Sequence, residues 1–249
     1  MARGSPRTSF DSSRLIRALS DLVSTDAAPP RQSFADRLGQ WLDFADAIAL
    51  FSALNGSTDA AGGPATAEHP ALRDEFARVR GALLDSINTD GVLTPGKARI
   101  RLPAPAWHAS TPGAADYLPY HRYYLAHQRD MGAAIAPLRA SVRAGLAQRA
   151  PALRQLAALD GVLDQALAPR ERSLLATVPQ LLGRHFEQLH QAHRSALPTP
   201  DDPARWLQPG AWLHTFCQDM RVVLRAELEL RLQPVAGLLE ALNEVTRQP

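Results

Sequence analysis

The sequence predicts an all-α protein: an elongated helical bundle of about six to eight helices with two Pro-rich loops. Three observations predict it. Alanine, leucine and arginine are abundant, and all three rank high in helix propensity. Runs of β-branched residues, which a sheet would need, are almost absent; Val222–Val223 is the nearest approach. Apolar residues recur at steps of three and four through most of the chain.

Residues 1–10 read as a disordered basic tail. A first helix can be capped at Asp11, Ser12 or Ser13, with Leu15, Leu19 and Leu22 on its apolar line, and Pro29–Pro30 ends the segment. A stronger helix follows from a Ser33 cap. Phe34, Leu38, Trp41, Ala45 and Ile48 trace one stripe, Leu42, Ala49 and Phe51 widen it, and Asn55–Gly56 stops it. "STDAAGGPATAEHP" reads as a small-residue linker. The third helix carries Leu72, Phe76, Val79, Leu83 and Ile87, an amphipathic face. Together these helices, residues 11–91, form an expected N-terminal helical subdomain.

A Pro/Gly-rich loop spans 92–116, with "ARIRL" as a short strand candidate inside it. Residues 117–249 read as a long-helix bundle. Its first part is near-continuous helix segmented by Pro137, Pro151, Pro169 and Pro179. Pro151 and Pro169 suit the first turn of a new helix, while Pro137 and Pro179 suit kinks. "ALPTPDDPARWLQPGA" is the second Pro-rich connection. The last helix starts near Trp212 and runs through Leu213, Cys217, Met220, Leu224 and Leu228 to Leu242, interrupted by Pro234. Its repeat is near 3.5 residues, which suits lengthwise packing.

Every tyrosine of the chain lies in "DYLPYHRYYLAHQRDM". On a helix, Tyr117, Tyr120, Tyr124, His127 or Gln128, and Met131 share one stripe, which continues as Ile135, Leu138, Val142 and Leu146. Tyr123 turns partly off it, over His127. A packing seam or a protein contact surface explains this better than a catalytic site, because tyrosine buries its ring while its hydroxyl reaches a partner. The expected partner-binding residues are therefore Tyr117, Tyr120, Tyr123, Tyr124, His121, Arg122 and His127.

Other chemistry is thin. Glu187 and His190 form one Glu-x-x-His unit beside His185 and His193, but di-iron bundles need that unit twice plus two further carboxylates. Leu182, Phe186 and Leu189 define the buried face there, so Glu187 and His190 point away from it. There is no phosphate-binding glycine loop, nucleophile elbow or zinc-protease motif. Cys217 sits on an apolar line and reads as an inert thiol. No catalytic residue, metal site or cofactor is expected. The formal charge is only +2 at a pI near 9.0. That is too little for a bulk grip on nucleic acid, although arginines outnumber acids between 122 and 194. One cysteine and the lack of a signal peptide or an apolar spanning stretch suit a cytoplasmic protein.

Four blocks, "RQSFADRLGQWLDFADAIALFSALN", "YHRYYLAHQRDM", "LDQALAPRERSLLATVPQLLGRHFEQL" and "VLRAELELRLQPVAGLLEALN", resemble a family of bacterial proteins, mostly from Burkholderia-like proteobacteria, defined as a domain of unknown function. The resemblance spans nearly the whole chain and brings no catalytic residues. It implies an accessory role beside a membrane-associated complex. The expected function is a non-enzymatic adaptor or scaffold that binds another protein, with homo-oligomerisation a further expectation. The alternative is a nucleic-acid-binding helical protein using the basic 122–194 segment.

Overall fold

The computed structural model describes residues 13–23, 34–56, 69–105, 115–196 and 202–247. Among them are eight α-helices: α1 (Arg14–Val23), α2 (Phe34–Trp41), α3 (Phe44–Asn55), α4 (His69–Asn88), α5 (Leu118–Ala147), α6 (Pro151–Leu175), α7 (Val178–Ala196) and α8 (Trp212–Arg247). A 3-10 turn spans Pro203–Arg205. The described residues contain no strand, so "ARIRL" is irregular backbone and the chain is all-α, as expected. The expected tail, the linker after residue 56 and the loop between 106 and 114 lie outside the described residues.

The expected second helix is two. Asp43 breaks it, because its carboxylate accepts from Asp46 N–H (2.8 Å) while the Asp46 carboxylate accepts from Asp43 N–H (3.1 Å). This capping box starts α3 inside an uninterrupted apolar pattern.

Three prolines also act otherwise than expected: Pro169, Pro179 and Pro234. Pro169 lies inside α6 and Pro179 in the first turn of α7. Pro169 and Gln165, four residues before it, are both exposed. The carbonyl that loses its amide partner therefore faces water, and the helix runs on. Pro137 and Ala133 repeat the arrangement in α5. Pro151 opens α6 as expected, and Pro234 lies inside an unbroken α8.

Contact density divides the described chain into two compact units. The first comprises 1–30, 87–125 and 178–230; the second comprises 31–86, 126–177 and 231–249.

In the first unit α1 packs on α7. Its core includes Leu15, Ile87, Leu102, Leu182, Phe186, Leu213, Phe216 and Leu224.

In the second unit α2 and α3 pack on α6. The α5 stripe Met131, Ile135, Leu138, Val142 and Leu146 is buried throughout, and Leu232, Val235, Leu238 and Leu242 of α8 are buried too. Leu72 of α4 comes so close to Gly145 that a Cβ there would stand 2.6 Å from its Cδ1. Between α5 and α6, Arg139 reaches Asp160 (2.6 Å) and Asp164 (2.7 Å), and Arg143 reaches the same pair at 3.2 and 2.8 Å. Burial disfavours the Arg143 charge, but hydrogen bonds and charges from Asp164 and Asp160 outweigh it and raise its pKa. Four charges thus form one closed square.

Candidate functional site

The tyrosine-rich start of α5 is built from its cap inward. Asp116 accepts from Leu118 N–H (2.9 Å), and Tyr117 C=O accepts from His121 N–H (3.0 Å), which opens the helix. Tyr117 is half-buried. Its hydroxyl donates to Pro179 C=O at 2.5 Å, and its ring lies over Gly183, where a Cβ would meet Cε1 at 2.9 Å. A glycine is needed for that approach. Tyr117 and Tyr120 both pack on Phe186 (5.6 and 5.7 Å between ring centres) and on Phe216 (6.1 and 5.6 Å). Phe186 and Phe216 meet edge-on at 5.0 Å, and Phe186 also meets Trp212 at 5.2 Å. His190 and His193 lie over Trp212 at 5.1 and 6.0 Å. These rings form one aromatic cluster.

Tyr124 is fully buried and donates to the Glu227 carboxylate at 2.7 Å, itself fully buried. Tyr123 is buried as well. Burial first, then the Asp90 charge, raises its pKa, and Arg221 opposes them. Asp90 organises the loop after α4. One carboxylate oxygen accepts from Val92, Leu93 and Thr94 N–H (2.8, 2.7 and 3.0 Å), and the other takes Arg221. Gly91 beside it has φ +74°, which favours glycine. Burial also pushes the Cys217 thiol up to about 12, so it stays protonated and unreactive near neutral pH. Tyr117 and Tyr120 are likewise raised by burial.

Of the seven expected contact residues, Tyr120, Tyr123, Tyr124 and His127 are buried within the chain. Tyr117 and His121 are half-buried and Arg122 is exposed. The stripe reading holds for all its members from Tyr120 to Leu146. Glu187 is exposed, as expected; His190, expected to point away from the buried face, is half-buried against Trp212 and Phe186. Among the described residues no cluster of His, Cys, Asp or Glu is arranged to hold a metal. His185 pairs with Asp219 (2.8 Å) and lies against Phe216. A cavity of about 240 Å³ is lined by Met131, Ile135, Arg139, Asp164, Glu171 and Arg172, among others. It is smaller than most small-molecule sites, which start at about 300 Å³.

The expected packing stripe fails on α3: Ala45, Ile48 and Phe51, placed on it by their spacing, are all exposed. No residue of α3 is buried. Ala49, Leu50 and Ala53 are half-buried on a helix that packs on α6. Phe44, Ile48, Phe51 and Leu54 are exposed at 82%, 51%, 68% and 54%. At 100° per residue these four and Ala47 share one face. Four large apolar side chains left in water on a 12-residue helix form a candidate contact surface. The available signal was the run itself: "FADAIALFSALN" is apolar on every side, more than one packing face can use.

No helix among the described residues is long and apolar enough to cross a membrane. No curated protein and no solved structure matches the chain. A family model described as "Protein of unknown function (DUF3348)" matches residues 1–244, and the chain belongs to that family.

Proposed function

We propose that this chain is a non-enzymatic cytoplasmic adaptor or scaffold, and that it binds another protein through the outward face of α3. The observation that carries this reading is the exposure of Phe44, Ile48, Phe51 and Leu54 together on one short helix. Apolar area left in water is the main resource for protein association. The groups that would do chemistry support it from the other side. Cys217 is a protonated buried thiol, Glu227 is hydrogen-bonded to Tyr124, and Asp90 is held by three amides and Arg221.

The test is affinity purification of the tagged chain from its native host, wild type beside a Phe44→Asp/Phe51→Asp variant, with mass spectrometry of what co-purifies. A protein recovered in near-equal amount with wild type and lost with the variant is the expected result. A partner retained by the variant moves the surface elsewhere, and Arg122→Ala then tests the accessible edge of the tyrosine segment. Nucleic acid released by salt in place of a protein favours the alternative reading of residues 122–194.

A further inference from the structure

We infer that the first occupant of the α3 face is a second copy of this chain, paired with it antiparallel across a two-fold axis near residue 49. The inference rests on the reading of α3 as a protein-docking surface and names its partner.

Area is the first argument. With about 200 Å² for a fully exposed large side chain, the four residues leave about 500 Å² in water. A specific interface buries about 1,000 Å² or more in total. Two copies of this one patch reach that figure, and Ala47, Ser52 and Asn55, all exposed beside it, add to it.

Shape is the second. An isologous contact sets residue i against its symmetry mate, so the patch must complement itself. About an axis near 49, Phe44 of one copy falls opposite Leu54 of the other, and Phe51 falls opposite Ala47. Each Phe51 ring then enters the gap over an alanine, large against small, as close packing requires.

Charge is the third. The acids of this stretch, Asp43 and Asp46, stand at the start of α3, and the helix carries no basic residue. Parallel pairing would put the acidic starts of both helices at the same end of the contact. Antiparallel pairing puts the two acidic ends at opposite ends of the contact, about 15 Å apart. A partner chosen by charge would require a charged rim around the patch. A second copy requires none.

The experiment uses the full chain. Sedimentation from about 100 µM down through a hundredfold dilution should show a dimer that dissociates. Phe51→Asp should weaken it by about tenfold or more at unchanged helix content. Because Cys217 is buried, cysteines placed on α3 report alone. Mixing Phe44→Cys with Leu54→Cys chains under oxidation should yield a 44–54 disulfide, while Phe44→Cys by itself should yield none, since bridged Cα atoms must lie within about 7 Å. A chain monomeric throughout overturns the inference, and so does a 44–44 disulfide. The reading of α3 as a docking surface fails separately: it stands if a monomeric chain still loses a co-purifying protein on Phe51→Asp, and falls if that variant changes nothing in either assay.

Discussion

The first turns of α5 and the whole of α3 are both short helical stretches crowded with large side chains, and they end up in opposite surroundings. Tyr120, Tyr123 and Tyr124 are at most 6% exposed; Phe44, Ile48, Phe51 and Leu54 are all more than half exposed. The more polar stretch is inside and the more apolar one outside. The difference lies in what each side chain requires. A buried tyrosine requires an acceptor for its hydroxyl; fully buried Tyr124 has Glu227, and half-buried Tyr117 has Pro179 C=O. A phenylalanine requires only apolar cover, which a second molecule can supply as well as the chain itself. Hydroxyl-bearing aromatics in this protein mark interior that is already matched; bare aromatics on α3 mark matching still to be done.

The largest expected effect lies at the centre of the buried region. Phe186→Ala removes the ring shared by Tyr117, Tyr120, Phe216 and Trp212, and should lower unfolding free energy by about 3–5 kcal/mol in urea denaturation. Tyr124→Phe keeps the ring and deletes a buried donor to a carboxylate. It should cost about 2 kcal/mol by the same measurement. Phe51→Asp should leave the stability of the dilute chain within about 0.5 kcal/mol while weakening association about tenfold or more. A Phe51→Asp loss as large as that of Phe186→Ala would erase the contrast between the two regions.

A smaller effect sits at His190. Burial first, then the charges of Arg194 and His193, lowers its pKa below the usual value of about 6.5. The fold therefore prefers the neutral ring. The contribution is complete above the unfolded pKa and is lost as pH falls through it towards the lower folded value. Between about pH 7 and about pH 5 the wild type should lose more stability than His190→Gln, read as the difference between their denaturation midpoints.

What could be read from the sequence was what repeats. The α5 stripe from Tyr120 to Leu146 and the α8 line from Leu213 to Leu242 were legible because burial on a helix recurs every three to four residues. What could not be read was what depends on a single contact. The capping box at Asp43 interrupts no apolar pattern, so nothing in the periodicity announces the break between α2 and α3. Pro169 stays within α6 because it lies on the water-facing side, and that side is fixed by tertiary packing. Asp90 lies 131 residues from Arg221, which no local pattern connects. Tyr120, Tyr123 and Tyr124 are buried, but an amphipathic ring suits a core edge and an interface equally well. That ambiguity made them contact candidates ahead of Phe44 and Phe51.

The charged square between α5 and α6 also sets position. Its two arginines stand one turn apart on one helix, and its two aspartates one turn apart on the other. Slide α6 by one turn, about 5.4 Å, and one arginine and one aspartate lose their mates in a half-buried setting. The square is thus a ruler with two marks on each edge. It counts turns along the helix pair.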